Sequence, residues 1–340
     1  MSEAFRPHLR GVRGRGATLA VMGLSATALV VIFPTWFRIA PAVASQLAAR
    51  MSAPGGLDAR ADAAARVMLR AEALIRAAKA DDAVPAEASG DVSGLIGSEW
   101  TPLVTTMGTL EAKRTATDPL WASVLTRRLA TDGIGRGDLI AVGFSGSFPG
   151  LDLAVMAAAH ELGAGLVAVS SVTASTWGAN QPGFTWPEIE CRVVRSGLLP
   201  PASAAVTTGG DDDNGMGLEP DAKALAARIR DQSASCLGAA ALRPTDYRDA
   251  VDERLSLYRR AAGGRRIALY VNVGGASASL GRSPAVLRLR SGFLPPIPFD
   301  RSDDRGVMAR FAEQHVRVLT LLNVRDLALR WGIPLGGDAK

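Results

Sequence analysis

The stretch from Leu139 to Val169 restricts the possible folds more than any other part of the chain. Leu139–Phe144 is an unbroken apolar run, as expected of a strand buried on both faces. A Gly- and Ser-rich turn follows, Pro149 opens a helical stretch to about Leu162, and Leu166–Val169 is a second buried strand. Strand, tight turn, helix and strand this close in sequence make a βαβ unit, whose strands are parallel and whose crossover is right-handed. A parallel sheet must be covered on both sides. The predicted class is therefore α/β, a three-layer, mostly parallel sheet with helices on both faces, and 340 residues suffice to build it.

Flanking segments continue the alternation. Asp118-Pro119 is an N-cap followed by Pro at the first helical position, and Leu120, Trp121, Val124, Leu125 and Leu129 form the stripe that Gly133 ends. Thr185 caps a short helix with Pro187 near its start, Ala204–Thr207 is a weak strand, and helices are predicted over 221–235 and 245–262. Ile267–Val273 is the clearest late strand. Arg317–Leu322 reads as a strand or as the middle of one long helix; the strand is favoured, with Asn323 capping a last helix and Asp326 three residues on. Earlier, Val67, Ala71, Leu74, Ile75 and Ala78 share one helix face. That helix is assigned to a stalk over residues 38–97, ahead of a main domain at 98–335.

Gly16–Phe37 holds 22 residues without a charge, between Arg15 and Arg38. Residues 17–37 are long enough to cross a bilayer, with Trp36 and Phe37 at interfacial depth. Four Arg in residues 1–16 place that basic tail in the cytoplasm and the main domain outside. A cleaved signal peptide ending near Ala42-Val43-Ala44 is the alternative to this single-pass anchor in the cytoplasmic membrane. Either way the domain is exported, where Cys191 and Cys236 are free to pair.

Composition removes several function classes. The net charge of +5 includes three charges from the first 16 residues, and the remaining basic residues are interspersed with acidic ones, so no nucleic-acid partner is expected. Two Cys exclude a Cys-rich zinc site, and Gly never precedes Lys, which excludes a P-loop. The Val271-Asn272-Val273-Gly274-Gly275 turn lacks the spacing of a dinucleotide site. No cofactor is expected. Asp211 and Asp213, within Gly209–Gly215, are the weak oxygen-ligand candidates for a metal.

Ligands of parallel sheets lie beyond the carboxyl ends of the strands, and several motifs fall there. Gly143-Phe-Ser145-Gly146-Ser147 approximates a nucleophile elbow, with Ser147 in place of the last Gly. A serine nucleophile needs a base. His8 precedes the span and His160 lies far along the following helix, so Lys113 or His315 remain as catalytic candidates beside Ser145. The alternatives are an anion cradle at a helix N-terminus or a plain capped turn. Lys113 and Arg114 sit in a hydroxyl-rich stretch suited to carboxylates, unless it is only a solvated turn with a Glu111–Arg114 pair. Ser171, Trp177, Asn180, Asn272, Gly274 and Gly275 complete the candidate ligand-binding set.

Glu99–Thr115, Ala141–Pro149, Ser175–Asn180 and Val271–Gly275, in this order and spacing, together resemble the bacterial poly-γ-glutamate system protein family over about residue 60 to the end. The resemblance implies an accessory protein of poly-γ-glutamate synthesis or export. The implied partners are the anionic polymer or its glutamyl units, and the membrane-bound synthase components. It implies no defined reaction and no catalytic residues. The expected function is binding of the polymer or the synthase complex; the alternative is an extracytoplasmic serine hydrolase or transferase acting on the polymer.

Overall fold

The structure, a computed structural model, describes residues 56–84, 91–295 and 304–336. The predicted tail 1–16 and span 17–37 lie outside the described residues, among which no helix is long and apolar enough to cross a membrane. The chain begins with α1 (Leu57–Asp81), β1 (Val104–Thr106), α2 (Leu110–Ala116) and α3 (Leu120–Thr131). There follow β2 (Leu139–Ser145), α4 (Pro149–Leu162), β3 (Gly165–Ser171), β4 (Ala174–Ser175), α5 (Trp186–Arg195) and β5 (Ser203–Thr207). Then come α6 (Pro220–Leu237), β6 (Ala240–Ala241), α7 (Tyr247–Ala262), β7 (Ile267–Val273) and α8 (Ser277–Leu280). The last elements are β8 (Gly292–Phe293), α9 (Val307–Glu313), β9 (Arg317–Leu321) and α10 (Val324–Trp331).

Seven strands form one sheet in the order β6-β5-β3-β2-β7-β9-β8, parallel throughout except for the edge strand β8. β1 and β4 pair separately. The mixed α/β class with a mostly parallel sheet is as predicted. Ile140, Val142 and Phe144 of β2 face a core built with α1, α3, α4, α5 and α10. Leu139 and Ala141 face the opposite core, built with α7, α8 and α9. This alternation on a strand buried at all seven positions is the period-two side-chain rule acting with both faces covered.

Local signals act as chemistry requires. The Leu120 N–H donates to Asp118 Oδ1 at 2.8 Å, and Asp326 N–H to Asn323 Oδ1 at 3.2 Å. Thr185 and Glu188 form a capping box on α5. The region read as a stalk is different. Ala64, Met68, Ala71 and Ile75 of α1 are fully buried in the same core as α3 and α4, so α1 is an outer layer of the domain. The apolar face was present in the sequence; its partner was not.

Cys191 on α5 and Cys236 on α6 form a disulfide with Cα atoms 6.2 Å apart. Replacing both with Ser is expected to lower stability by about 4 kcal/mol in the chain-entropy account of a loop this long. Urea unfolding of the purified chain checks this, and a loss below about 1 kcal/mol would contradict that account.

Candidate functional site

From β2 the chain steps outward through β3, β5 and β6, then returns to lay β7 and β9 on the other side of β2. The strand order reverses between β2 and β7, and crevices at such switch points are where open parallel sheets bind ligands. A cleft of about 160 Å³ lies there. Ser145 and Ser147 supply one wall, Ser171 and Thr173 the next, Gly209–Asp211 a third, and Gly275–Ser277 a fourth, with Thr105 and Thr106 at one side. Among the described residues Asp211 is the sole charged group in this lining.

The turn after β2 is held by its own polar groups. Phe148 N–H donates to Ser145 O at 3.1 Å and Ser147 N–H to Ser145 Oγ at 3.3 Å. Ser145 is buried and lacks the positive φ that a strained elbow nucleophile adopts. Gly274, at φ +76°, lies so close that a Cβ there would meet Ser145 Oγ at 3.1 Å. Only glycine allows this approach without strain. Beneath it, Asn272 Nδ2 donates to Gly274 O at 2.8 Å and lies 3.4 Å from Thr320 Oγ1. Asn272 Oδ1 and Ser277 Oγ are buried with no hydrogen-bond partner among the described residues.

Behind Ser147 sits Lys113, 3% exposed. Its Nζ donates to Ser147 O and, at 2.7 Å, to Ser175 Oγ, and lies 3.9 Å from the centre of the Phe148 ring. Burial pulls its pKa down to about 7, with Asp152 acting in the other direction. Asp152, in the first turn of α4, is wholly buried, and burial pushes its pKa well above the carboxylate range. The Ser145 N–H faces this carboxylate without closing a well-formed hydrogen bond. Glu190 is also wholly buried and raised by burial, but it accepts from Ala202 N–H at 2.9 Å and Ser203 N–H at 2.8 Å.

The acidic loop is divided between structure and cleft. Arg254, wholly buried on α7, grips both carboxylate oxygens of Asp213, and its Nη1 donates to Ser279 Oγ at 3.1 Å. Arg282 pairs with Asp212. Asp213 is thus committed to a guanidinium, not to a metal, and no acidic, His or Cys group of three among the described residues is arranged to hold one. Asp211 remains exposed and without an ion pair among the described residues.

Of the residues chosen from the sequence, Ser145, Ser147, Ser171 and Gly275 line the cleft, while Gly146, Asn272 and Gly274 support it. Lys113 lies one layer behind. Arg114 is on α2 against Gly336, away from the lining, and Glu111 pairs with Arg325 instead of Arg114. Trp177 adopts φ +62° and its N–H donates to Ser98 O at 2.9 Å. Asn180 spends its amide on Ser98, accepting from the N–H at 3.0 Å and donating to the O at 2.8 Å. Both are scaffold. His315 is exposed two residues before β9. Gly143, Asn272 and Thr320 share one register level, so His315 sits about 20 Å down the strands from Ser145 at about 3.3 Å per residue. It cannot act as that serine's base.

Thr106, Thr173, Gly209, Gly210 and Ser277 belong to the cleft but were not singled out. Thr106 lies in the three-residue β1, and the others come just after β3, β5 and β7, where periodicity is silent and only position after a strand end points to them. Compared with known proteins, the chain matches no protein-family model, no curated protein and no solved structure.

Proposed function

We propose that this chain is a membrane-anchored, extracytoplasmic accessory protein of poly-γ-glutamate synthesis or export, and that its cleft binds a glutamyl unit of the polymer. Residues 17–37 would tether it, with the synthase complex as its protein partner. The observation that carries the reading is the convergence of hydroxyls from Ser145, Ser147, Ser171, Thr173 and Ser277 on one cleft at the switch point. Neutral donors of this kind accept a carboxylate through a few directed hydrogen bonds, without a broad basic groove. The Cys191–Cys236 bridge agrees with an oxidising compartment. Titration of the purified full-length chain with poly-γ-glutamate should give saturable binding that weakens at least fivefold in Ser145→Ala. Absence of binding at low salt, or unchanged affinity in the variant, would contradict the proposal.

One contact favours the alternative, a serine hydrolase or transferase acting on the polymer. Lys113, lowered toward neutrality, touches Ser175 Oγ at 2.7 Å, which is the arrangement of a base beside a nucleophile. The serine concerned is then Ser175, not Ser145. It is 4% exposed under the backbone of Gly108, and the N–H groups of Ser175, Thr176 and Trp177 are all spent on other acceptors. No oxyanion site therefore accompanies it there. The binding reading expects Ser175→Ala to leave polymer length unchanged in cells; longer polymer would favour the hydrolase.

A further inference from the structure

Resting on the reading that the cleft holds a glutamyl unit, we propose that it recognises an α-ammonium and an α-carboxylate together. Its ligand is then the free amino-terminal residue of a γ-linked chain, or free glutamate, and not the interior of the polymer. Three observations lead there.

The first is charge. Of three consecutive acidic residues, Asp212 and Asp213 are neutralised by Arg282 and Arg254, and Asp211 alone faces the cleft. Among the described residues no Lys, Arg or His lines it. An interior residue of the polymer brings a carboxylate and an amide, so Asp211 would repel it, with only neutral hydroxyls to offset the repulsion. An amino-terminal residue brings an ammonium that Asp211 can accept through a charge-assisted hydrogen bond.

The second is the pair of unpartnered buried atoms. Ser277 lines the cleft beside Gly275 and Ala276, and its Oγ has no hydrogen-bond partner among the described residues. Asn272 is wholly buried, and its Nδ2 is turned to Gly274 O and Thr320. Its Oδ1, beneath the Gly274 turn that closes on Ser145, has no partner among the described residues. Buried polar atoms are nearly always paired, so orphans at a cleft mark groups that a ligand or water satisfies.

The third is size. A cleft of about 160 Å³ is filled by one residue-sized head group. In a γ-linked chain every residue keeps an α-carboxylate, but only the first keeps a free α-ammonium beside it.

Isothermal titration of the full-length chain tests this with γ-glutamyl-glutamate of either hand, its Nα-acetyl derivative, free glutamate of either hand, and alanine. Acetylation is expected to weaken binding at least tenfold, and Asp211→Asn, an exposed change that should not disturb folding, to bring free and acetylated dipeptides within twofold. Equal binding of both dipeptides by the unaltered protein would overturn the inference while leaving the polymer reading intact. Binding of alanine with the same Asp211 dependence, and of no glutamyl compound, would remove the polymer reading and keep the paired-charge site. Binding of no probe would overturn both.

Discussion

Arg254→Leu is expected to destabilise the protein by about 3–5 kcal/mol, because it leaves the Asp213 carboxylate buried and uncompensated. Both groups are essentially inaccessible, and the guanidinium also reaches Ser279 Oγ and lies 3.5 Å from Thr207 Oγ1. Burial alone would weaken the hold of Arg254 on its proton, but the Asp213 carboxylate more than offsets this and keeps it charged. One side chain thus ties α7 to the acidic loop and to α8, which are two walls of the cleft. Adding Asp213→Leu should restore much of the stability, since replacing both partners of a buried pair with apolar groups is far less costly than removing one. Ligand affinity should fall in both variants, because the loop that presents Asp211 loses its tether. Urea unfolding reads the first effect and titration the second. A single variant within about 1 kcal/mol of the parent would contradict the role given to Arg254.

Lys113→Met should change how stability varies with pH. In the folded chain the Lys113 pKa is lowered from 10.5 to about 7 by burial. Between these values the unfolded state holds a proton that the folded state lacks, so this group makes the parent more stable as pH rises from about 7 toward 10.5. Below pH 7 its burial penalty is fully present. Methionine has nothing to titrate. The stability of the variant minus that of the parent should therefore fall by about 1.4 kcal/mol per pH unit between pH 7.5 and 9.5. Taking the difference removes the shared contributions of Lys79, lowered by burial to about 8, and Glu72, raised by burial to about 8. A difference that does not vary with pH would mean that Lys113 is not buried in this way.

The sheet was legible where the sequence carries long signals. β2, β7 and α4 were read to within a residue, because unbroken apolar runs bounded by Gly and Pro admit little else. The strands β1, β4, β6 and β8 span two or three residues, too few for a period to show, and they exist because neighbouring backbone groups need partners. Ser145, Ser171 and Gly275 were legible by position, since strand ends on a parallel sheet are where function collects. Lys113, a candidate base and carboxylate ligand by its sequence surroundings, lies one layer behind the cleft because Gly108 and Phe148 close around it, a packing that no local signal shows. Arg254 went unnoticed although a signal existed: it lies on the face of α7 marked by Tyr247, Val251 and Tyr258, and a charge on an apolar stripe asks for a buried partner.

Hydrogen exchange of the full-length chain, with and without γ-glutamyl-glutamate, tests most directly whether the crevice between β2 and β7 is the binding site. Slower exchange is expected in residues 104–106, 145–151, 171–175, 207–217 and 274–280, with the remainder of the chain unchanged. Protection confined to another surface, such as the groove beside Arg128 and Phe293, would contradict the account.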